Sequence, residues 1–264
     1  MLLEKKTAIV YGAAGAVGSA VARTFAREGA RLFLAGRSEA ALAATAAEIT
    51  DMYGGYVDVA ALDVLDEEAV EAHADTVVRD GGSVDIAFNA ISLSQRGIQG
   101  TPLSDMSPDS FILPLTTYPL ANFLTARAAA RRMISAQSGV ILTITASPSR
   151  SAVPLMGGMA PAWAAVESMS RGLAAELGPH GVRVVCLNAA GMPETPQLAE
   201  VYGLHADAHG MTRDDFHALQ TELTLRKQLP TVAEIAEFTA FVASDRARAM
   251  TGAVANLTGG MVVD

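Results

Sequence analysis

A single cysteine, Cys186, stands in a chain of 264 residues, so no disulfide can form within the chain and a cysteine-rich zinc site is excluded. Set in the apolar run Val184 to Leu187, that thiol reads as a small buried hydrophobe rather than a reactive group. Aromatic residues are scarce at 5%, whereas half of the residues are hydrophobic and 23 are glycine. Such a chain builds its core from small and branched aliphatics, which suits helices packed closely on a parallel sheet. Basic charge is in deficit too: 19 Lys and Arg stand against 28 Asp and Glu, a formal net charge of −9. That balance leaves no electrostatic footprint for nucleic acid or an anionic membrane surface. No apolar run is long enough to span a bilayer, and the opening Met1-Leu2-Leu3-Glu4-Lys5-Lys6 lacks the pattern of a signal peptide. The expectation is a cytoplasmic protein whose partner is a small, apolar molecule.

Short apolar runs alternate with longer Ala-rich stretches. The runs are Thr7 to Tyr11, Arg31 to Leu34, Tyr56 to Leu62, Ile86 to Phe88, Val140 to Thr145, Val182 to Leu187 and Ala253 to Leu257. This order is that of repeated βαβ units, and it predicts one α/β domain over 1–264, a doubly wound parallel sheet of about seven strands with helices on both faces. Helix starts are marked by Ser38 before Glu39, Asp66 before Glu67-Glu68, and Ser107 before Pro108 at the first helical position. Pro114 and Pro119 interrupt the helical pattern from Ser107 to about Ala136, which predicts a short helix and then a longer kinked one starting near Pro119. From 193 to 227 the polarity is mixed and no strand signal occurs, which predicts a lid-like insertion near the carboxyl ends of the strands.

Directly after the first run comes Gly12-Ala13-Ala14-Gly15-Ala16-Val17-Gly18, followed by a helix expected from Ser19 to about Glu28. Small residues here permit a tight turn, backbone approach to a pyrophosphate and close helix packing. Three glycines alone are a weak signal, but a place between the first strand and a helix is the context that a dinucleotide fingerprint demands. At the end of the second run the chain reads Ala35-Gly36-Arg37-Ser38, with no carboxylate to repel a 2′-phosphate. Arg37 offers a fixed charge and a fork of donors, with Ser38 beside it at a helix start, so NADP(H) is expected over NAD(H).

The glycine loop is similar to the Thr-Gly-x-x-x-Gly-x-Gly turn of the short-chain dehydrogenase/reductase family, with Tyr11 in place of Thr and Ala16 in place of the middle glycine. The resemblance continues through Asn89, the one residue retained of the family's Asn-Asn-Ala-Gly turn, Glu176 to Val184, Gly191 to Thr195 and Thr251 to Gly260, and so covers essentially the whole chain. It implies a Rossmann-type fold and a nicotinamide cofactor held by Gly12, Ala14, Gly15, Val17, Gly18, Arg37, Ser38, Asp63, Val64, Asn89, Ala90, Gly191 and Thr195. Within that set it gives Asp63 to the adenine amino group and Thr195 to the nicotinamide carboxamide. Assembly as a homodimer or homotetramer is implied as well, through helix faces at about Leu120 to Met133 and Ala160 to Leu177.

The resemblance further implies a tyrosine that moves the substrate's proton. A lysine one turn later lowers the pKa of such a phenol from about 10, with a serine and an asparagine in support. Alignment through Ala165, Arg171 and Leu173-Ala174 puts Met159 at the tyrosine position and Trp163 at the lysine position. The asparagine position holds Tyr118, and the serine position holds Ala146 with Ser147 beside it. Neither a thioether nor an indole shuttles a proton. Two readings stand open. In the first, the chain is a reductase for an acceptor that needs little protonation on a heteroatom, such as an imine, an iminium ion or an activated alkene. Its pocket is lined by Met156, Met159, Trp163 and Met192, with Tyr118 or Ser147 as substitute donor. In the second, it binds the nucleotide without turning it over, as a sensor or partner subunit.

His205 and His209 lie four apart, as metal-binding pairs on helices do. Gly203, Gly210 and the want of a nearby third ligand instead favour solvated histidines in the lid and no metal. Arg131-Arg132 reads as the charged end of an exposed helix face.

Overall fold

The computed structural model describes Met1–Asp264. A seven-stranded sheet in the order β3-β2-β1-β4-β5-β6-β7 runs through its centre, every pairing parallel. Its strands are β1 (Thr7–Tyr11), β2 (Arg31–Gly36), β3 (Val57–Ala61), β4 (Ile86–Asn89), β5 (Gly139–Ala146), β6 (Val182–Ala189) and β7 (Val254–Leu257). Each falls on one of the apolar runs. The helices are α1 (Ala16–Arg27), α2 (Glu39–Tyr53), α3 (Glu67–Gly81), α4 (Pro108–Ala136), α5 (Met159–Leu177), α6 (Pro196–His209), α7 (Arg213–Glu222) and α8 (Val232–Ala243).

Because side chains alternate along a strand, both faces of a parallel sheet must be clothed. Ala8 and Val10 of β1 face a layer that includes Phe25 of α1, Leu42 of α2 and Ala240 of α8. Ile9 and Tyr11 face the opposite layer, with Val70 of α3, Met133 of α4 and Leu177 of α5. Burying one such aliphatic side chain contributes roughly 1.5–3 kcal/mol. The caps hold as their chemistry requires: Ser38 accepts from Ala41 N–H at 3.3 Å, Asp66 from Ala69 N–H at 3.1 Å and Ser107 from Ser110 N–H at 3.2 Å. Between β1 and β4 the strand order reverses direction, which opens a crevice at the carboxyl edge of the sheet.

Three expectations need correction. Helix α1 opens at Ala16 rather than at Ser19, with Gly15 as its N-cap, so the glycine loop is itself the first turn. Helix α4 does not break: it runs unbroken from Pro108 to Ala136 through both Pro114 and Pro119. A proline inside a helix costs about 3 kcal/mol, and burial of Ala121, Leu124, Ala128 and Met133 in one stripe opposes that cost. Pro114 is also packed against the start of α5, where a Cβ added to Gly158 would lie 2.7 Å from its Cγ. The third correction concerns Arg132, which does not lie on an exposed helix face. Its side chain is 14% exposed and is ion-paired to Glu71 and, at 2.5 Å, to Asp75, while Arg131 meets Glu71 at 2.6 Å. These arginines bind α4 to α3.

Candidate active site

The glycine loop takes a shape that only small residues allow. Gly12 has φ of +73°, and a Cβ there would lie 2.7 Å from the carbonyl oxygen of Ala90. A Cβ on Gly18 would lie 2.3 Å from the carbonyl oxygen of Gly12, so α1 sits hard against the turn. Gly15 caps α1 without a side chain, and Ala14, Gly15 and Ala16 are exposed. The first N–H groups of α1 therefore point outward without an internal acceptor, which is the arrangement that receives a pyrophosphate. Tyr11, the departure before the loop, turns its ring into the core, 6.0 Å from His73, and does not obstruct the turn.

Other residues assigned to a dinucleotide lie along the same edge. Arg37 and Ser38 are exposed at the end of β2. Whereas Arg23 of α1 pairs with Glu48 at 3.1 Å, Arg37 has no such partner. Asp63 is exposed after β3 and accepts from Leu65 N–H at 3.0 Å, with Val64 buried beside it. Asn89 is buried and ties β4 to α4: its Nδ2 donates to Thr125 Oγ1 at 2.8 Å, and its Oδ1 accepts from Ile91 N–H at 3.0 Å. Thr195 caps α6, accepting from Leu198 N–H at 3.3 Å and donating to the Met192 carbonyl at 2.9 Å. These residues fit the cofactor that the fold implies, through an open helix end, a glycine turn held tight against Ala90 and α1, and an unpaired guanidinium at the end of β2.

A cavity of about 210 Å³ continues from this edge between the ends of β5 and β6 and the helices α5, α6 and α7. It is lined by Val17, Ala90, Gly191 and Thr195 of the cofactor set together with Tyr118, Ala146 and Ser147. Met156, Met159, Trp163 and Met192 line it as well, as does Met261 from beyond β7. Of its 30 lining residues 19 are hydrophobic, and none is Lys, Arg, Asp or Glu. Without an ion in its walls the cavity offers nothing to compensate a buried charge, so it suits an uncharged guest.

The two hydroxyls named as substitute donors are both engaged inside the protein. Tyr118 donates to the carbonyl oxygen of Ile144, and burial holds its phenol well above the ordinary range. Ser147 donates to Met261 Sδ at 3.3 Å. Tyr202 of α6, which sequence reasoning passed over, also lines the cavity, and a Cβ on Gly191 would lie 3.1 Å from its hydroxyl oxygen. Burial raises this phenol too.

Glu167, one turn after Trp163 on α5, was not foreseen either. It is 4% exposed, and its Oε1 accepts from Thr145 Oγ1 at 3.0 Å, Ser149 Oγ at 2.5 Å and Asn188 Nδ2 at 2.9 Å. This cluster locks the end of β5 to β6 and α5, and so fixes the walls on which Ala146 and Trp163 stand. His205 corrects the sequence reading outright: it is 2% exposed, donates from Nε2 to Gln99 Oε1 at 2.9 Å and stacks on Phe216. Burial lowers its pKa, with His209 adding to the effect. A histidine on the inner face of an amphipathic helix was the available signal. His209, by contrast, is exposed.

A parallel sheet with an open glycine turn at its switch point and a small-molecule cavity beside it defines an α/β fold of the dinucleotide-binding class. The chain belongs to the short-chain dehydrogenase/reductase family of oxidoreductases: the family model described as Enoyl-(Acyl carrier protein) reductase matches residues 12–262. It is 30% identical to momilactone A synthase of Oryza sativa subsp. japonica, an alignment covering 99% of this chain and 91% of that protein. To D-threitol dehydrogenase of Mycolicibacterium smegmatis it is 29% identical, covering 99% and 94%. The solved structure of an NAD+-bound xylitol dehydrogenase superposes with a TM-score of 0.91 at 25% identity, covering 98% of each chain. The L-sorbose reductase of Gluconobacter frateurii, solved with NADPH and L-sorbose, shares the fold with a TM-score of 0.88 at 23% identity over the whole of both chains.

Proposed function

We propose that this chain is an NADP(H)-dependent reductase of an uncharged, largely apolar acceptor that does not need a protein acid to place a proton on its oxygen. An activated alkene is the acceptor class that fits best. An imine fits less well, and an iminium ion would meet no carboxylate in the cavity wall. The observation that carries the reading is the pairing of an open dinucleotide edge with a cavity whose Met159 and Trp163 stand where the family resemblance places tyrosine and lysine.

Gly12 and Gly18 permit the tight turn that presents the open end of α1 to the pyrophosphate, Arg37 and Ser38 hold a 2′-phosphate, and Gly191 and Thr195 border the nicotinamide end. Bound there, the cofactor would supply a hydride to the β-carbon of the alkene, and the resulting enolate would take its proton from bulk water as the product leaves. The thioethers of Met156, Met159 and Met192 and the indole of Trp163 exclude water and orient the acceptor. Positioning of this kind is an effect separate from acid catalysis, whose loss costs typically about 10²- to 10⁴-fold. With Tyr118 committed to Ile144 and Ser147 to Met261, simple ketones are reduced slowly or not at all.

The test is to titrate NADPH and NADH onto the protein and then follow NADPH absorbance with matched ketones, imines and conjugated enones. Consumption with enones or imines and little with ketones is expected. Brisk ketone reduction overturns the altered chemistry, and tight nucleotide binding with no consumption on any acceptor overturns the reductase.

A further inference from the structure

The inner wall of the cavity carries a chain of buried polar side chains from two separate segments. Gln95 and Gln99, in the stretch between β4 and α4, are 1% and 3% exposed, and His205 on α6 completes the series. The direction of the chain is set by its end. Leu93 offers a backbone carbonyl, which can only accept, and Gln95 Nε2 donates to it at 2.6 Å. Gln95 Oε1 must then accept from Gln99 Nε2 at 2.7 Å, and Gln99 Oε1 from His205 Nε2 at 2.9 Å. Gln197 also donates to the Leu93 carbonyl, at 3.0 Å, so that acceptor is doubly held.

Each amide NH2 carries two hydrogens, and the chain uses one from Gln95 and one from Gln99. Both side chains line the cavity. One hydrogen on each amide therefore has no acceptor within the protein, at the wall of a cavity whose lining is mostly hydrophobic, and buried polar groups of this kind normally find a partner. Burial disfavours the charged form of His205, and no Lys, Arg, Asp or Glu lines the wall.

We propose that Gln95 and Gln99, held in register by His205, form a recognition site for a carbonyl oxygen on an uncharged, mainly apolar ligand. The proposal builds on the cavity assigned above to the acceptor and gives that acceptor its polar feature. It sets the ligand class as a lipophilic ketone, enone or lactone and excludes carboxylates and phosphates, whose desolvation nothing in the wall offsets.

Trp163, the one tryptophan of the chain, lines the same cavity, and its fluorescence reports occupancy without any turnover. The probes are 2-decalone, decalin and decahydronaphthalene-2-carboxylate, titrated into the nucleotide-free protein. One neutral hydrogen bond predicts that the ketone binds roughly five-fold or more tightly than the hydrocarbon, with the carboxylate weakest. In His205→Phe, which keeps a ring against Phe216, and in Gln99→Leu, the preference for ketone over decalin should fall below roughly two-fold while decalin binding stays unchanged. The proposal is overturned if the unaltered protein binds ketone no better than decalin, a result that needs no variant to fold, or if the preference survives in either folded variant. NADPH affinity and consumption are read separately. Their failure with the ketone preference intact would sink the reductase reading and leave this site standing.

Discussion

The hydroxyl of Tyr118 donates its hydrogen to the carbonyl oxygen of Ile144, so α4 is fastened to β5 by a group that resemblance alone would have offered to a substrate. Tyr118→Phe should therefore cost stability, about 1 kcal/mol for a buried hydrogen bond, and leave turnover of the best acceptor within roughly three-fold. Urea unfolding and steady-state rates on one preparation separate the two effects. A hundred-fold fall in rate at unchanged stability would instead make Tyr118 a catalytic acid.

Arg37 stands exposed at the end of β2 without a carboxylate partner, where the proposed function sets a 2′-phosphate. Replacing it with Ala removes charge-assisted bonds to a 2′-phosphate, each worth about 1.5–3 kcal/mol. NADPH affinity should fall roughly ten- to hundred-fold with NADH affinity hardly changed, as read by calorimetric titration. Equal losses for the two nucleotides would deny Arg37 this role.

Gly12→Ala puts a methyl group 2.7 Å from the Ala90 carbonyl at φ of +73°. Left-handed backbone costs a non-glycine residue roughly 1–2 kcal/mol before any clash is counted. Destabilisation of about 2 kcal/mol or more in urea is expected, together with lost NADPH binding. Normal nucleotide affinity in this variant would remove the loop from the cofactor site.

Glu167 collects three donors on one oxygen inside the protein. Glu167→Ala strands the hydroxyls of Thr145 and Ser149 and the amide of Asn188, and should cost about 3 kcal/mol. Glu167→Gln retains an acceptor and should cost under about 1 kcal/mol. Chemical denaturation of the pair checks the difference, and similar losses would mean that the side chain acts by bulk alone.

His73 gives the fold a pH dependence. Burial lowers its pKa from the ordinary 6.5 to about 4, with Asp58 opposing, and its Nδ1 is buried without a partner. Between those values the unfolded chain binds the proton that the folded protein refuses, so stability falls as pH drops from 6.5 towards 4 and is unaffected by this group above 6.5. The full effect is about 3 kcal/mol. His73→Phe, which keeps a ring near Tyr11, should flatten that part of the stability profile. An unchanged slope in the variant would assign the acid sensitivity to carboxylates instead.

The inner strands could be read from the apolar runs because a strand covered on both faces must be apolar at nearly every position, as Ala8 to Tyr11 are, whereas the half-buried edge strands β3 and β7 were legible from the alternation of runs and helices. The glycine loop was legible for a similar reason, since a turn crowded to 2.3 Å at Gly18 tolerates no side chain. Helix α4 was misjudged because the penalty of Pro114 and Pro119 is local and visible, whereas the packing that opposes it comes from β5 and α5 and is not. The same limit hid Glu167, Gln99 and His205: a polar residue looks solvated until the partners that bury it are known, and here those partners lie 18, 21 and 106 positions away. The cluster of Met156, Met159, Trp163 and Met192 was legible because resemblance had already located it.

The chamber walled by thioethers, an indole and aliphatics has a practical consequence at the bench. A largely apolar hollow that rejects ions favours oily molecules of a cell lysate, and protein taken from culture is expected to carry those that fit it best. Extraction of the purified material with organic solvent, followed by mass spectrometry of the extract, would reveal such stowaways, and stripping them is a precondition for any honest affinity.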